Sequence, residues 1–443
     1  MKPSMEQLVS LCKRRGFIFQ GSEIYGGLAG TFDYGPLGVA LKNNIKNLWW
    51  KQFVENRTDM YGFDAAILMN QKVWQASGHV GGFSDPLVEC SNCKSRFRED
   101  QIDTSKCPSC GKEGTFGQAR QFNMMFKTNV GAVENEDSVS YLRPETAQGM
   151  FVNFKNILDT FHPKLPFGMA QIGKAFRNEI APRDFIFRVR EFEQMEIEYF
   201  VDPRNEKTVN EIFDALFEEQ MSFLKKIGLD SNKIHKIEVP AEDRAHYSKR
   251  SVDTEYDFPF GQKELLGLAY RTDYDLSAHM SSSGVDLTYF DEENKDRFVP
   301  HCIEPTFGLD RLILAVLSDA YKVDGEGEDA RVFLAIPPAI SPIKICVSPL
   351  VKNKDGLVLK ARELFNDLKK SFGAVVWDDN GNIGKRYRRQ DEIGTPFCVV
   401  VDFDTLGENP ELLDTVTIRH RDTGEQERVA IKDLKKYIED KIN

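Results

Sequence analysis

The segment Ile336-Pro-Pro-Ala-Ile-Ser-Pro342 constrains this chain most, because it is too rich in proline to continue a helix. It follows a glycine-containing acidic stretch that begins near Asp324 and a short apolar run, and it divides the chain into two folding units, residues 1–335 and 341–443. The charge divides at the same place. Of 58 Lys+Arg and 69 Asp+Glu, 18 basic and 18 acidic residues lie from Ser341 onward, so the net charge of -11 belongs to the first unit. A global basic surface is excluded, and any nucleic acid must meet a local patch. At 443 residues and 41% hydrophobic content, both units can bury ordinary cores, which excludes a disordered or fibrous protein.

Apolar residues recur at helical spacing from Val39 to Val54, after Gly35-Pro36-Leu37-Gly38, and again from Asn205 to Ile227. Ala65–Met69, Phe185–Val189, Phe192–Phe200 and Leu265–Arg271 read as strands. Strands outnumber helices around the informative residues, an α+β pattern dominated by antiparallel pairing. After the proline-rich boundary, strands at Ile343–Val347, Ala374–Trp377 and Phe397–Asp402 alternate with helices at Leu357–Ser371 and Leu434–Ile442, with Lys385–Gly394 between them. This is a small α/β unit of ordinary independent size.

Four of the eight cysteines form Cys90-x2-Cys93 and Cys107-x2-Cys110, inside an insertion at about residues 86–118. Four thiolates from two such knuckles close a tetrahedral zinc site with no open position, which is structural and not catalytic. The alternative is two reduced pairs or a redox dithiol. Cys12, Cys302, Cys346 and Cys398 are scattered, which suits a reducing compartment. No signal sequence is evident in Met1–Gln20, and no run approaches the roughly 20 apolar residues of a membrane helix. The protein reads as soluble and cytoplasmic, without a membrane partner.

Arg177-Asn178-Glu179 precedes a polar loop and the run Phe187-Arg188-Val189-Arg190-Glu191-Phe192-Glu193-Gln194-Met195-Glu196. A hairpin there projects Arg177, Arg188 and Arg190 together, and fixed guanidinium forks suit phosphate oxygens. Strand alternation puts Phe192, Gln194 and Glu196 on one face, Glu193 and Met195 on the other. A salt-bridged surface hairpin is the bland alternative. Downstream, Glu304-Pro305-Thr306-Phe307-Gly308-Leu309-Asp310-Arg311 opens an apolar helix whose free amides can meet a phosphate.

These two segments resemble motifs 2 and 3 of class II aminoacyl-tRNA synthetases. Together with Tyr141-Leu-Arg-Pro-Glu145-Thr-Ala-Gln-Gly149, Gly35-Pro-Leu-Gly38 and Gly384–Pro396, they resemble the homodimeric type of glycyl-tRNA synthetase over nearly the whole chain. The resemblance implies a class II catalytic domain, an antiparallel sheet with flanking helices, and a C-terminal α/β anticodon-binding domain. It implies that glycine is activated with ATP and transferred to the 3′ end of its tRNA(Gly), by a homodimer joined through the helix from Val39.

By the same resemblance Arg177 holds the α-phosphate and the amino-acid carboxylate, and Arg188 the γ-phosphate. Phe192 and Arg311 sandwich adenine, Glu179 accepts from its amino group, and Glu264 and Leu265 add an ATP or Mg²⁺ contact. Asn178, Phe187, Val189, Arg190, Glu191, Gly308, Leu309 and Asp310 fall within the same ATP-binding stretches. Glu145, Glu196, Glu304 and Thr306 form the glycine pocket, with Phe192, Glu193, Gln194, Met195, Pro305, Phe307 and Gly308 in the matching segments. Many family members have Ser at the position of Thr306. Arg98 matches a substrate-contact position, with the acceptor end of tRNA as the alternative. In the C-terminal unit, Lys385, Arg386, Arg388 and Arg389 around Tyr387 form a basic, aromatic patch for tRNA, against the alternative of a solvated charged loop. No Ser-His-Asp or Cys-His arrangement is evident, and the seven histidines read as structural or solvent-facing. Alternative functions are a class II enzyme for another small amino acid and a synthetase-like RNA-binding protein without catalysis.

Overall fold

The computed structural model describes residues 3–327 and 330–442; Glu328 and Asp329 of the boundary segment lie outside the described residues. The first unit is built on a seven-stranded sheet in the order Ile234–Glu238, Arg250–Phe258, Gly261–Thr272, His301–Gly308, Glu191–Val201, Phe167–Phe176 and Met60–Gly62. Every pairing is antiparallel except the last, which is parallel. The architecture is the α+β class expected from the sequence.

Alternation decides what each face of this sheet does. Met195, Ile197 and Tyr199 point with Phe307 into one core, where helices Pro36–Trp50, Glu206–Lys226 and Leu309–Ala320 supply Leu41, Trp49, Phe213, Phe223 and Leu312. The Trp49 and Phe307 rings meet edge to face at 5.8 Å. On the opposite side, Phe167, Met169 and Phe200 pack with Met150, Phe151 and Phe154 of two short helices. Glu196 and Glu198 alternate with the first-named core residues along the same strand.

Two segments expected to be strands are not. Ala65–Met69 bends at Ile67 and forms only an isolated bridge, Leu68 to Leu142. Phe185–Phe187 is a 3-10 turn, because Asp184 and Phe185 both take φ of 58°, a left-handed backbone that no strand accommodates.

A separate core holds the C-terminal unit, beginning at Ile345, whereas Ile340 belongs to the first core. Its sheet runs Val375–Trp377, Ile345–Pro349, Phe397–Val401, Thr415–His420 and Gln426–Ala430, the first three parallel and the last two added antiparallel. The antiparallel pair extends the expected α/β alternation. Lys385–Gly394 falls in the helix Ile383–Ile393 and its cap, Gly394.

Candidate active site

Strands Phe167–Phe176 and Glu191–Val201 form the hairpin, with Phe192 opposite Ala175 and Glu196 opposite Gln171. The loop between them folds back, Arg177 N–H donating to Arg190 O at 2.9 Å. It closes one wall of a cleft, partly open to solvent, whose floor is Phe192, Gln194, Gly267, Thr306 and Gly308. Arg177, Glu179, Ile186, Phe187, Arg188, Val189, Glu193, Glu264, Leu265, Asp310 and Arg311 complete the lining. Arg188 is held by Glu179 (Nε to Oε2, 2.6 Å) and reaches Gln101 at 3.0 Å. The Arg311 guanidinium lies over the Phe187 ring at 4.5 Å and donates to Glu264 at 3.0 Å. Its stacking partner here is thus Phe187, while Phe192 lies 5.4 Å from the Arg177 guanidinium.

Some residues of the ATP-binding stretches face elsewhere. Leu309 is wholly buried in the main core. The Asn178 amide donates to Met124 O, Glu191 pairs with Lys174, and Arg190 ties the loop to Glu179 O and Ala29 O. These contacts shape the loop and do not line the cleft.

A second cavity adjoins the first and shares Arg177, Gln194, Glu264, Gly267 and Thr306 with it. It gathers Glu145, Glu196 and Glu304 beneath Tyr247 and Arg271. Glu196 accepts from the Thr146 amide (3.2 Å) and hydroxyl, from Thr306 Oγ1 (3.1 Å) and from Gln194 Nε2 (3.3 Å). Burial, reinforced by the Glu145 charge, still holds its carboxyl above the ordinary range. Glu304 takes one bond from Arg271 (2.9 Å), and burial pushes it up to about 8. Burial would raise Glu145 too, but His79 at 3.3 Å, Arg271 and Gln148 outweigh it, and Glu145 stays well below the carboxylate range. The cavity is therefore an acidic cup, open to solvent, with three largely buried carboxyl groups at its base. Arg177 stands at its border with the cleft. Among the described residues no carboxylate pairs with Arg177, whose Nε donates only to Pro144 O at 3.1 Å.

Alternation removes several matched residues from the cup. Met195 is opposite Phe307 in register, and both side chains enter the main core on the helix side. The Glu193 carboxylate is on that side too, paired with Lys42 (2.6 Å) and Lys46 (2.9 Å) of the Pro36–Trp50 helix. Pro305 is buried and does not line the cavity, while Phe192 and Gly308 line the cleft instead. Arg98 is turned onto Asp85 (2.8 Å) and Asp100 (2.6 Å), and lines neither cavity. Asp85 also lies 3.5 Å from Arg188, so Arg98 is one carboxylate removed from the cleft.

The Cys90, Cys93, Cys107 and Cys110 sulfurs all lie within 4.8 Å of one another, with Cys90–Cys110 at 3.8 Å and Cys93–Cys107 at 3.7 Å. Four sulfurs at about 2.3 Å from a tetrahedral zinc lie about 3.8 Å apart, so the donor set fits that ion. In the C-terminal unit the basic run is helical, and the helical period turns half of it inward. Arg386 is buried, donating to Gly381 O and Pro349 O. Arg389 pairs with Asp378 at 2.7 Å, and the Tyr387 ring packs under Arg419 at 4.7 Å. Lys385 and Arg388 are the exposed members of the run. Arg386 and Tyr387 are thus structural pieces of this helix and not an exposed basic, aromatic surface.

Residues 126–320 match the tRNA synthetase class II core domain (G, H, P, S and T), and residues 344–441 the anticodon binding domain. The chain is 50% identical to the glycine–tRNA ligase of Clostridium acetobutylicum, covering 99% of both proteins. It belongs to the glycine–tRNA ligase family. The ligases of Caldanaerobacter subterraneus subsp. tengcongensis and Borrelia hermsii are each 49% identical, over 100% and 99% of this chain and 99% and 97% of theirs. In this member of the ligase family the cleft and the cup adjoin and share part of their lining. Among the residues the sequence does not disclose are Arg271 and Tyr247, which line the cup, and His79, which pairs with Glu145. Arg271 ends a strand that was recognised, yet a lone arginine there reads as a strand end. Tyr247 and His79 gave no periodic signal.

Proposed function

We propose that this chain activates glycine with ATP, forming glycyl-adenylate and pyrophosphate, and passes the glycyl group to the 3′ end of tRNA(Gly). The observation that carries the reading is Arg177, which pairs with no carboxylate among the described residues and stands between the cleft and the acidic cup. Glycine presents only an ammonium, a carboxylate and two hydrogens. Glu145, Glu196 and Glu304 take the ammonium, with Thr306 fixing Glu196, and in this reading their bulk around the bound ammonium is what excludes a Cβ. Exclusion by bulk discriminates where an apolar pocket gains little per methylene.

The glycine carboxylate then points at Arg177, whose fork also takes the α-phosphate, so that attack is in line and pyrophosphate departs toward Arg188, with Arg311 left to the adenine side. Glu179 and Phe192 receive adenine. Mg²⁺ accompanying ATP supplies charge neutralisation, with Glu264 as the nearby carboxylate. No protein nucleophile is needed, because positioning and charge stabilisation supply the rate. The test is ATP–pyrophosphate exchange: glycine should drive it, and exchange driven instead by alanine, serine or proline would replace this reading with another class II activity.

The four-cysteine knuckle at about 86–118 holds zinc in this reading, through Cys90, Cys93, Cys107 and Cys110. Purified protein should carry about one zinc per chain, and Cys107→Ser should lose it; metal-free protein with an unchanged melting profile would count against the assignment. Residues 1–335 form the catalytic domain and 341–443 the anticodon-binding domain, with Lys385 and Arg388 offered to tRNA. The protein works as a cytoplasmic homodimer across the Pro36–Trp50 helix.

A further inference from the structure

Below the acidic cup lies a fourth glutamate, Glu198, that neither the family resemblance nor the proposed reaction uses. It is two residues beyond Glu196 on the same strand face and fully buried. The register that pairs Glu196 with Thr306 and Tyr199 with Ile303 sets Glu198 directly opposite Glu304. Oxygens of Glu196, Glu198 and Glu304 lie within 4.8 Å of one another.

The partners of these carboxylates are unequal. Glu196 has four donors and Glu304 has Arg271. Glu198 accepts one weak bond, from the Cys302 thiol at 2.9 Å, and its Oε1 has no partner among the described residues. Every neighbouring element denies it a cation of its own. Its own strand offers Glu196 and the His301–Gly308 strand offers Cys302 and Glu304. The Phe167–Phe176 strand places Met169 opposite it. From the Gly261–Thr272 strand comes Arg271, already gripped by Asp275 through two bonds of 2.8 Å and by Glu304. A charged carboxylate with no cation in so dry a place is far costlier than a protonated one.

We propose that Glu198 is a carboxylic acid, not a carboxylate, at neutral pH, and that its O–H is a positioning donor to the ammonium-binding carboxylates, Glu304 first. Burial and the facing Glu304 push Glu198 well above the usual carboxylate range. Arg271 stabilises the charge on Glu304, so the first proton of the pair goes to Glu198. Once there it removes a repulsion and offers a donor to Glu304, which eases the ionisation of Glu304 when the ammonium arrives and keeps it aimed at that group. The cup then presents three carboxyl groups to glycine, Glu145 the most acidic of them, over one neutral strut. A buried acid kept neutral in order to donate is a known use of such an environment.

The inference rests on the glycine reading of the cup, and its test separates the two. Infrared difference spectra of the ligand-free protein should contain the carbonyl stretch of a protonated buried carboxyl that Glu198→Gln removes, whatever the substrate. In the wild type that band should shift when glycine alone is added. In exchange assays, Glu198→Gln, a neutral isostere, should keep the KM for glycine within about twofold, whereas Glu198→Leu should raise it about tenfold with the KM for ATP unchanged. Absence of a band belonging to Glu198, or a glycine KM raised a hundredfold or so by Glu198→Gln, would mean that the residue is ionised and would overturn the proposal. A band indifferent to glycine, in protein that does show glycine-driven exchange, would overturn the positioning role even if the leucine variant fails to fold. Wild-type protein that shows the band and no glycine-driven exchange would refute the glycine reading instead.

Discussion

Arg177→Ala should lower glycine-dependent ATP–pyrophosphate exchange on the order of a thousandfold, leaving the melting temperature and tRNA affinity essentially unchanged. The reason is electrostatic bookkeeping within the site. Arg188, Arg271 and Arg311 each already pair with a carboxylate, so removing any of them also strands an acid. Arg177 is paired with none among the described residues and contacts only a carbonyl oxygen and the Phe83 and Phe192 rings, each 5.4 Å away. Its charge is held in reserve for two anions, the amino-acid carboxylate and the α-phosphate. They must be brought together against their own repulsion, and that repulsion is largest as the new bond forms. Arg177→Lys keeps a point charge but loses the fork, so exchange should remain at least about tenfold below wild type. Should the alanine variant keep more than a tenth of wild-type exchange, the role given to Arg177 is wrong.

How much of this site the sequence discloses depends on whether the chemistry follows a period. The hairpin was legible because alternation from Glu191 onward sorts Phe192, Gln194 and Glu196 from Glu193 and Met195, and the structure sorts them in the same way. Phe185–Val189 was misread because aromatic and β-branched residues mimic a strand, while left-handed backbone at Asp184 and Phe185 leaves little trace in composition. The Lys385–Arg389 run looked like surface because it is charged. A helical reading was available there, since Asn382 caps the helix by accepting from Lys385 N–H at 2.9 Å, and the period carries Arg386 and Gln390 inward. Arg143 shows the converse limit. It lies in the Tyr141–Gly149 run beside Glu145, yet it is buried and bonded to Ala65 O and Lys174 O, a strut whose role only the tertiary structure reveals.

The larger stability effect is expected far from any substrate group, at Gly38→Ala. A Cβ built on Gly38 would stand well under 3.0 Å from the Phe17 carbonyl oxygen and 2.9 Å from its carbon, with Tyr34 at 3.0 Å. The obstacle is backbone, and it is pinned: Phe17 O accepts from Gly35 N–H at 2.9 Å, and Gly16 O from Leu37 N–H at 3.2 Å. The entry to the Pro36–Trp50 helix can accept the methyl only by moving away from Phe17, at a cost of about 3 kcal/mol. One turn along, Lys42 and Lys46 hold Glu193, whose amide donates to Asp310 at 2.8 Å; on the same strand Phe192 and Gln194 floor the cleft and Glu196 lines the cup. Displacing the helix therefore disturbs both cavities as well as the core. Gly38→Ala should lower the denaturant midpoint of the first unit and reduce exchange. Gly117→Ala, where a Cβ meets nothing within 4 Å, should leave both unchanged. Equal midpoints for the two variants would show that the contact between Phe17 and the helix entry yields more readily than its hydrogen bonds imply.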